Sequence, residues 1–195
     1  SHKSPDGDSI GSSLGLFHFL NQLGHSCSVI TPDRPPSFLN WLEGSDQIIN
    51  FEYHKAKATA AIENADWLFC LDFNGLNRVG DLTNLLTNST AKKFNIDHHQ
   101  EPEHFAAYEY IETDASSTAQ LIYELIAQTP HIHLMNQAIA QALYVGIMTD
   151  TGSFRFSSDS AIMENPCSLN NCILSLMAYP RSLNRCSVEL SYTFL

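Results

Sequence analysis

Trp67-Leu68-Phe69-Cys70-Leu71-Asp72 is the stretch that decides the fold. Five apolar side chains in succession, without alternation, suit a strand covered on both faces, and such strands belong to parallel sheets flanked by helices. Asp72 ends the run. A carboxylate at the tip of a buried strand is costly unless it is paired or bound to a metal. Capping the next helix is the other use open to it.

Similar runs lie on either side. Residues 93–96 read as another short strand, ended by Asp97, and residues 108–111 as a further one. Upstream, residues 27–31 read as a short strand entering a proline-rich loop, 32–36. Between these lie helical stretches. In residues 9–23, Ile10, Leu14, Phe17 and Leu20 recur at helical spacing and Gly24 supplies a stop. Residues 55–64, 79–86, 116–128 and 135–148 are the other expected helices, the last leading into Asp150. Strands alternating with helices imply an α/β domain built on a parallel sheet. Ligands of such sheets bind beyond the carboxyl ends of the strands, where the acids of this chain fall.

The composition sets limits. A chain of 195 residues with 44% hydrophobic content suffices for one large domain, or a domain and a fragment. Its net charge of −11 argues against a broad basic face for long duplex DNA. A small phosphate substrate stays open, because bound cations invert the local field. The five cysteines are odd in number and lack a close-spaced zinc pattern, and Cys27 and Cys70 lie in apolar runs, as buried free thiols do. No apolar stretch is long enough to span a membrane, and the start has no secretory pattern. A reducing cytoplasm is the expected setting.

The chemistry concentrates in four segments. His2, Asp6 and Asp8 are spaced i, i+4, i+6 around Pro5 and Gly7, which turn the chain so that the three can converge. The alternative is a solvated Asp-Gly-Asp turn with Ser9 as helix cap. His2 also lacks the strand that should precede a ligand at a strand tip, so an N-terminal strand is expected to be missing. Asp72 is the second segment. Arg78 follows it, suited equally to pairing an acid or contacting substrate. The third is Asp97-His98-His99. Adjacent histidines after a strand point to different sides, one toward a metal and the other toward substrate, while Asp97 can fix an imidazole tautomer. A solvent loop is the alternative. The fourth is Asp150, between Thr149 and Thr151. Ser116 and Ser117 open a helix, as caps or as phosphate-steering hydroxyls, with Asp114 a rival cap. His18, His25, His54, His104, His131 and His133 read as surface residues.

The texture changes near residue 157. No glycine follows Gly152, and Cys167, Cys172 and Cys186 lie in a stretch without a clear period. The expected organisation is a domain over 1–157 and an atypical tail over 158–195, either a poorly patterned subdomain or non-native sequence.

Taken in order, His2-x-x-Pro5-Asp6-Gly7-Asp8, Asp72, Asp97-His98-His99 and Thr149-Asp150-Thr151 resemble the four motifs of the DHH family of phosphoesterases over roughly residues 1–157. Asp114-Ala115-Ser116-Ser117-Thr118 and Thr151-Gly152-Ser153-Phe154-Arg155-Phe156 are similar to its RecJ-like branch, the nanoRNase and adenosine 3',5'-bisphosphate phosphatase type. The resemblance implies two Mn²⁺ or Mg²⁺ ions. His2, Asp6 and Asp72 would take one, Asp8, Asp72, His98 and Asp150 the other, with Asp72 bridging. It implies His99 on the scissile phosphate, assisted by Asp97, with Ser116, Ser117 and Arg78 near substrate. The implied substrates are short oligonucleotides or nucleotide phosphates, and a homodimer is compatible. Family II inorganic pyrophosphatase, cyclic dinucleotide phosphodiesterase and an inactive metal-binding fragment are the competing readings. The pyrophosphatases carry Pro-Asp-Thr-Asp where this chain has Pro5-Asp6-Gly7-Asp8. The family's second domain, DHHA1, has a glycine-rich segment that nothing after Gly152 matches.

Overall fold

The computed structural model describes residues 1–153 and 155. The tail over 158–195, with Cys167, Cys172 and Cys186, lies outside the described residues.

The fold is α/β, with parallel strands in the sheets and helices on both faces. Helix α1, Gly7–Gln22, is capped by Asp6, whose carboxylate accepts from the Ser9 amide while the Ser9 hydroxyl accepts from the Asp6 amide. The helix therefore starts earlier than its apolar spacing indicates. Ser9 is the reciprocal partner of the cap, not the cap. Gly7 and Asp8 lie in the first turn instead of a solvated loop. β1, Ile30–Thr31, is only the end of the expected strand. It pairs in parallel with β2, Ile49–Asn50, a two-residue strand too short to leave a periodic signal. α2 spans Lys55–Glu63.

β3 is Trp67–Leu71, as its run indicates, but it is not covered along its whole length. Cys70 and Leu71 are buried, whereas Trp67 is 41% exposed. Its ring packs against Phe69 and Tyr108 and lies beneath the Lys92 ammonium at 5.1 Å. β4, Lys92–Asp97, sits between β3 and β5, Tyr108–Ile111, and all three run parallel. The expected helix over 79–86 divides in two. A 3₁₀ stretch, Leu76–Leu82, breaks at Gly80, with φ +55°, and α3, Thr83–Asn88, follows. Only glycine adopts that backbone without strain. α4 is Thr118–Ala127, and α5 is Gln137–Asp150, capped by Asn136.

Alternation along β3 sends neighbouring side chains into separate cores. Leu71 joins Ile96, Leu121, Ile139 and Leu143 beneath α1, α4 and α5. Cys70 joins Ile62, Phe73, Val79 and Leu82 beneath α2 and the Leu76–Asn88 region. α1 and α5 approach almost backbone to backbone. A Cβ on Gly11 would lie 2.4 Å from the Ala142 carbonyl oxygen, and one on Gly15 would meet Leu143. Between β1 and β3 runs a groove of about 790 Å³, lined by Val29, Ile30, Leu68, Phe69 and Cys70 among others. The α-amino group of Ser1 enters it and donates to the Ile30 carbonyl at 3.2 Å.

Candidate metal centre

The carboxyl ends of β3 and β4, the N-termini of α1 and α4 and the C-terminus of α5 meet at one crevice. Asp72 leaves β3 with φ +67°, a left-handed backbone that is strained for a residue other than glycine. Its amide is held by the Ile96 carbonyl of β4 at 3.1 Å. That turn directs a buried carboxylate inward instead of along the strand.

His2, Asp6, Asp8, Asp72, His98 and Asp150 all converge there. His2 Nε2 lies 3.4 Å from Asp72 Oδ2 and 3.6 Å from Asp6 Oδ2. His98 Nε2 lies 3.2 Å from Asp150 Oδ2, 3.7 Å from Asp72 Oδ1 and 3.8 Å from Asp8 Oδ2. Three donor groups, His2-Asp6-Asp72, Asp8-His98-Asp150 and Asp72-His98-His99, each place their ligand atoms within 4.8 Å of one another. Asp72 turns one oxygen toward His2 and the other toward His98.

The imidazoles are oriented from behind. His2 Nδ1 donates to the Lys3 carbonyl at 2.8 Å, and His98 Nδ1 to the Ala115 carbonyl at 3.2 Å. These bonds leave Nε2 of each ring as a lone-pair donor facing carboxylate oxygens. Two electron-rich groups in opposition require a proton or a cation between them. The donor set, carboxylate oxygen with imidazole nitrogen, suits a divalent metal ion. Without one, protons fill the role. Burial opposes charge on His2, but Asp6 and Asp72 outweigh it and raise its pKa to about 10. For Asp6 burial works against ionisation, yet the bond from His2 and the Ser9 amide bring it down to about 2. Asp8 is pushed well above the carboxylate range, first by burial and then by the charge of Asp72. Asp150 is raised by burial, with His98 opposing and Asp72 adding to the shift. Cations in the crevice would relieve these costs.

Asp97 and His99 form a pair at the rim. Asp97 is fully buried, and its Oδ1 accepts from His99 Nδ1 at 2.7 Å. That bond raises the His99 pKa against the effect of burial. Nε2 of His99 remains free of it. Arg78 is exposed, its backbone carbonyl accepts from the Lys3 amide, and its charge opposes protonation of His99. Ser117 is buried and caps α4, its Oγ accepting from the Gln120 amide. The Ser116 hydroxyl donates to Gln120 Oε1 at 2.8 Å. The Asp114 amide receives support from Glu112, and Asp114 does not cap α4.

Other contributors were not singled out by sequence reasoning. The first amides of α4, those of Thr118 and Ala119, donate to the two oxygens of Asp8 at 2.7 and 2.9 Å. The Thr118 hydroxyl donates to Asp72 Oδ1 at 3.0 Å. The position of Thr118 at a helix mouth is visible in the sequence, but its partners across 110 and 46 residues are not. Gly146 leaves room for Asp8, since a Cβ there would lie 2.8 Å from Asp8 Oδ1 and 2.5 Å from Ala119 Cβ.

Comparison with known proteins places this arrangement. The chain is 30% identical over 156 residues to the bifunctional oligoribonuclease and PAP phosphatase NrnA of Bacillus subtilis, covering 80% of this chain and 46% of the relative. It is 29% identical over 167 residues to the cyclic-di-AMP phosphodiesterase PdeA of Listeria monocytogenes, covering 82% and 25%. Among solved structures it resembles an exopolyphosphatase-related protein from Bacteroides fragilis, with a TM-score of 0.86 and 36% identity over 91% of this chain and 52% of that one. The chain thus spans about half the length of the oligoribonuclease relative and of that solved structure. The model of the DHH family N-terminal domain matches residues 1–147. His2, Asp6, Asp8, Asp72, Asp97, His98 and His99 lie within that match and Asp150 just beyond it, and the chain belongs to the DHH family.

Proposed function

We propose that this chain is the catalytic part of a metal-dependent phosphoesterase acting on short oligonucleotides or nucleotide phosphates. One observation carries the reading. Asp72 is a buried carboxylate whose two oxygens face two separate donor groups, as a bridge between two ions requires. His2, Asp6 and Asp72 would hold one Mn²⁺ or Mg²⁺, and Asp8, Asp72, His98 and Asp150 the other. When bound, such a pair acidifies a water and shares the charge of an in-line displacement. His99 holds its proton through Asp97 and offers Nε2 to a phosphoryl oxygen. Arg78, Ser116 and Ser117 stand near the substrate path, the serines by fixing the mouth of α4. The PAP phosphatase and oligoribonuclease relative and the Pro5-Asp6-Gly7-Asp8 sequence support the choice of substrate class.

The unit is proposed to run to about residue 157, since the last donor, Asp150, ends α5. A reducing cytoplasm accords with the free thiols Cys27 and Cys70. Among the described residues, no helix is long and apolar enough to cross a membrane.

The test is hydrolysis by the whole chain in Mn²⁺, offered a dinucleotide, adenosine 3',5'-bisphosphate, pyrophosphate and a cyclic dinucleotide in parallel. Cleavage of the first two, abolished by chelator, is expected. Cleavage confined to pyrophosphate or to the cyclic dinucleotide would overturn the reading, as would no cleavage at all with metal bound. Turnover should be modest, because positioning the phosphate supplies much of the rate and this chain covers half of its relative.

A further inference from the structure

Thr118 touches both buried carboxylates of the centre with different groups. Its amide donates to Asp8 Oδ2 at 2.7 Å, and its hydroxyl donates to Asp72 Oδ1 at 3.0 Å. All three residues are buried, Thr118 completely. The Ala119 amide takes the other oxygen of Asp8, so a backbone donor fixes each oxygen of that carboxylate. Asp72 has no such pair of amides. Its two oxygens face different imidazoles, Oδ2 toward His2 and Oδ1 toward His98 and His99. Rotation about its last side-chain bond would turn both oxygens away from those faces. The Thr118 hydroxyl is the hydrogen-bond donor, fixed to a helix end, that opposes this rotation.

We propose that Thr118 is a positioning residue that sets the plane of the Asp72 carboxylate, and that its hydroxyl decides whether the centre accepts a second divalent ion. The inference rests on the two-metal reading. It assigns Thr118 no contact with substrate. Partners behind metal ligands commonly contribute 10- to 100-fold to affinity.

The test compares the whole chain with T118V and T118S. Bound Mn²⁺ is counted from the free-ion paramagnetic resonance signal, and the spin-coupled signal of an ion pair is recorded. The parent should bind two ions and show coupling. T118V keeps the shape and the amide to Asp8 but lacks the hydroxyl. It should bind one ion with near-parental affinity, bind the second about 10- to 100-fold more weakly, and lose the coupled signal. T118S should restore both. Should T118V melt below the assay temperature, T118A serves instead, since it places no methyl group against Asp72. Parental affinity for both ions in the variant lacking the hydroxyl would overturn the positioning role and leave the two-metal reading standing. Failure of T118S to restore the second ion would also overturn it. A parent that binds fewer than two ions would remove the two-metal reading itself, and this inference with it.

Discussion

Asp72 concentrates the chemistry at the scale of a single residue. It has a strained backbone, near-complete burial and oxygens facing two donor groups. Strain of this kind persists only where the surroundings hold it, here the Ile96 carbonyl and the Thr118 hydroxyl. Asp72→Asn should therefore disturb both ions at once. Hydrolysis should fall by more than about 100-fold, since even outer partners of a metal contribute that much, while the circular dichroism spectrum stays parental. Near-normal hydrolysis at saturating Mn²⁺ would reduce Asp72 to a turn residue. His99 should behave differently under the proposed role, because its Nδ1 is committed to Asp97 and its Nε2 takes no part in that bond. His99→Ala should lower kcat by about 10²- to 10⁴-fold, the range for a positioned acid or base, with metal content by elemental analysis unchanged. Loss of one ion would instead make His99 a ligand. Asp72 was legible in the sequence because it ends an apolar run, and His99 because it stands in the Asp97-His98-His99 triplet after a strand. Thr118 was legible only as part of a helix mouth. Whether a helix amide meets a phosphate or a carboxylate depends on what folds opposite it, and here that is Asp8.

At the scale of elements, the site depends on how closely three helices approach. Gly11 and Gly15 of α1 meet α5, and Gly146 of α5 faces both Asp8 and Ala119. A methyl group on Gly146 would enter the space where α1, α4 and α5 meet. Gly146→Ala should cost about 1–3 kcal/mol, as overpacking typically does. It should also weaken Mn²⁺ binding, because Asp8 cannot move without losing the amides of Thr118 and Ala119. Thermal melting and metal titration on the same variant check both halves. A variant as stable as the parent would show that the helices part without cost. Helix α1 was legible from its apolar spacing, and β3 and α5 from their unbroken apolar character. Short or irregular elements were not. β2 has two residues, and the break at Gly80 is a single backbone angle. The exposure of Trp67 depends on where the helices end relative to the sheet, which a run of apolar residues does not encode. The pairing order of β3, β4 and β5 likewise arises from register between strands.

At the scale of the molecule, the donors are distributed from His2 to Asp150, so the centre exists only when the whole α/β layering is formed. An unfolded chain offers no such arrangement, and any ion bound there stabilises the fold by linkage. The stabilisation should be large because the metal-free centre is self-opposed. Asp8 and Asp150 both resist ionisation through burial and the nearby charge of Asp72, though His98 relieves Asp150 in part. At a hundredfold excess over the dissociation constant, one ion contributes about 2.7 kcal/mol. For a chain of this size, that corresponds to a rise in Tm of about 5–10 °C. Melting in Mn²⁺ and in chelator should differ by at least this amount. In Asp150→Asn, two effects should separate. The metal-free protein should melt slightly higher than the parent, because a carboxylate that its surroundings and the charge of Asp72 keep from ionising is gone. The increment from Mn²⁺ should shrink, because a ligand is gone as well. A metal-free variant that melts lower, with the full Mn²⁺ increment retained, would place Asp150 outside the centre and make it an ordinary helix terminus. The opposite signs of the two shifts distinguish a metal ligand from a residue that merely supports the fold.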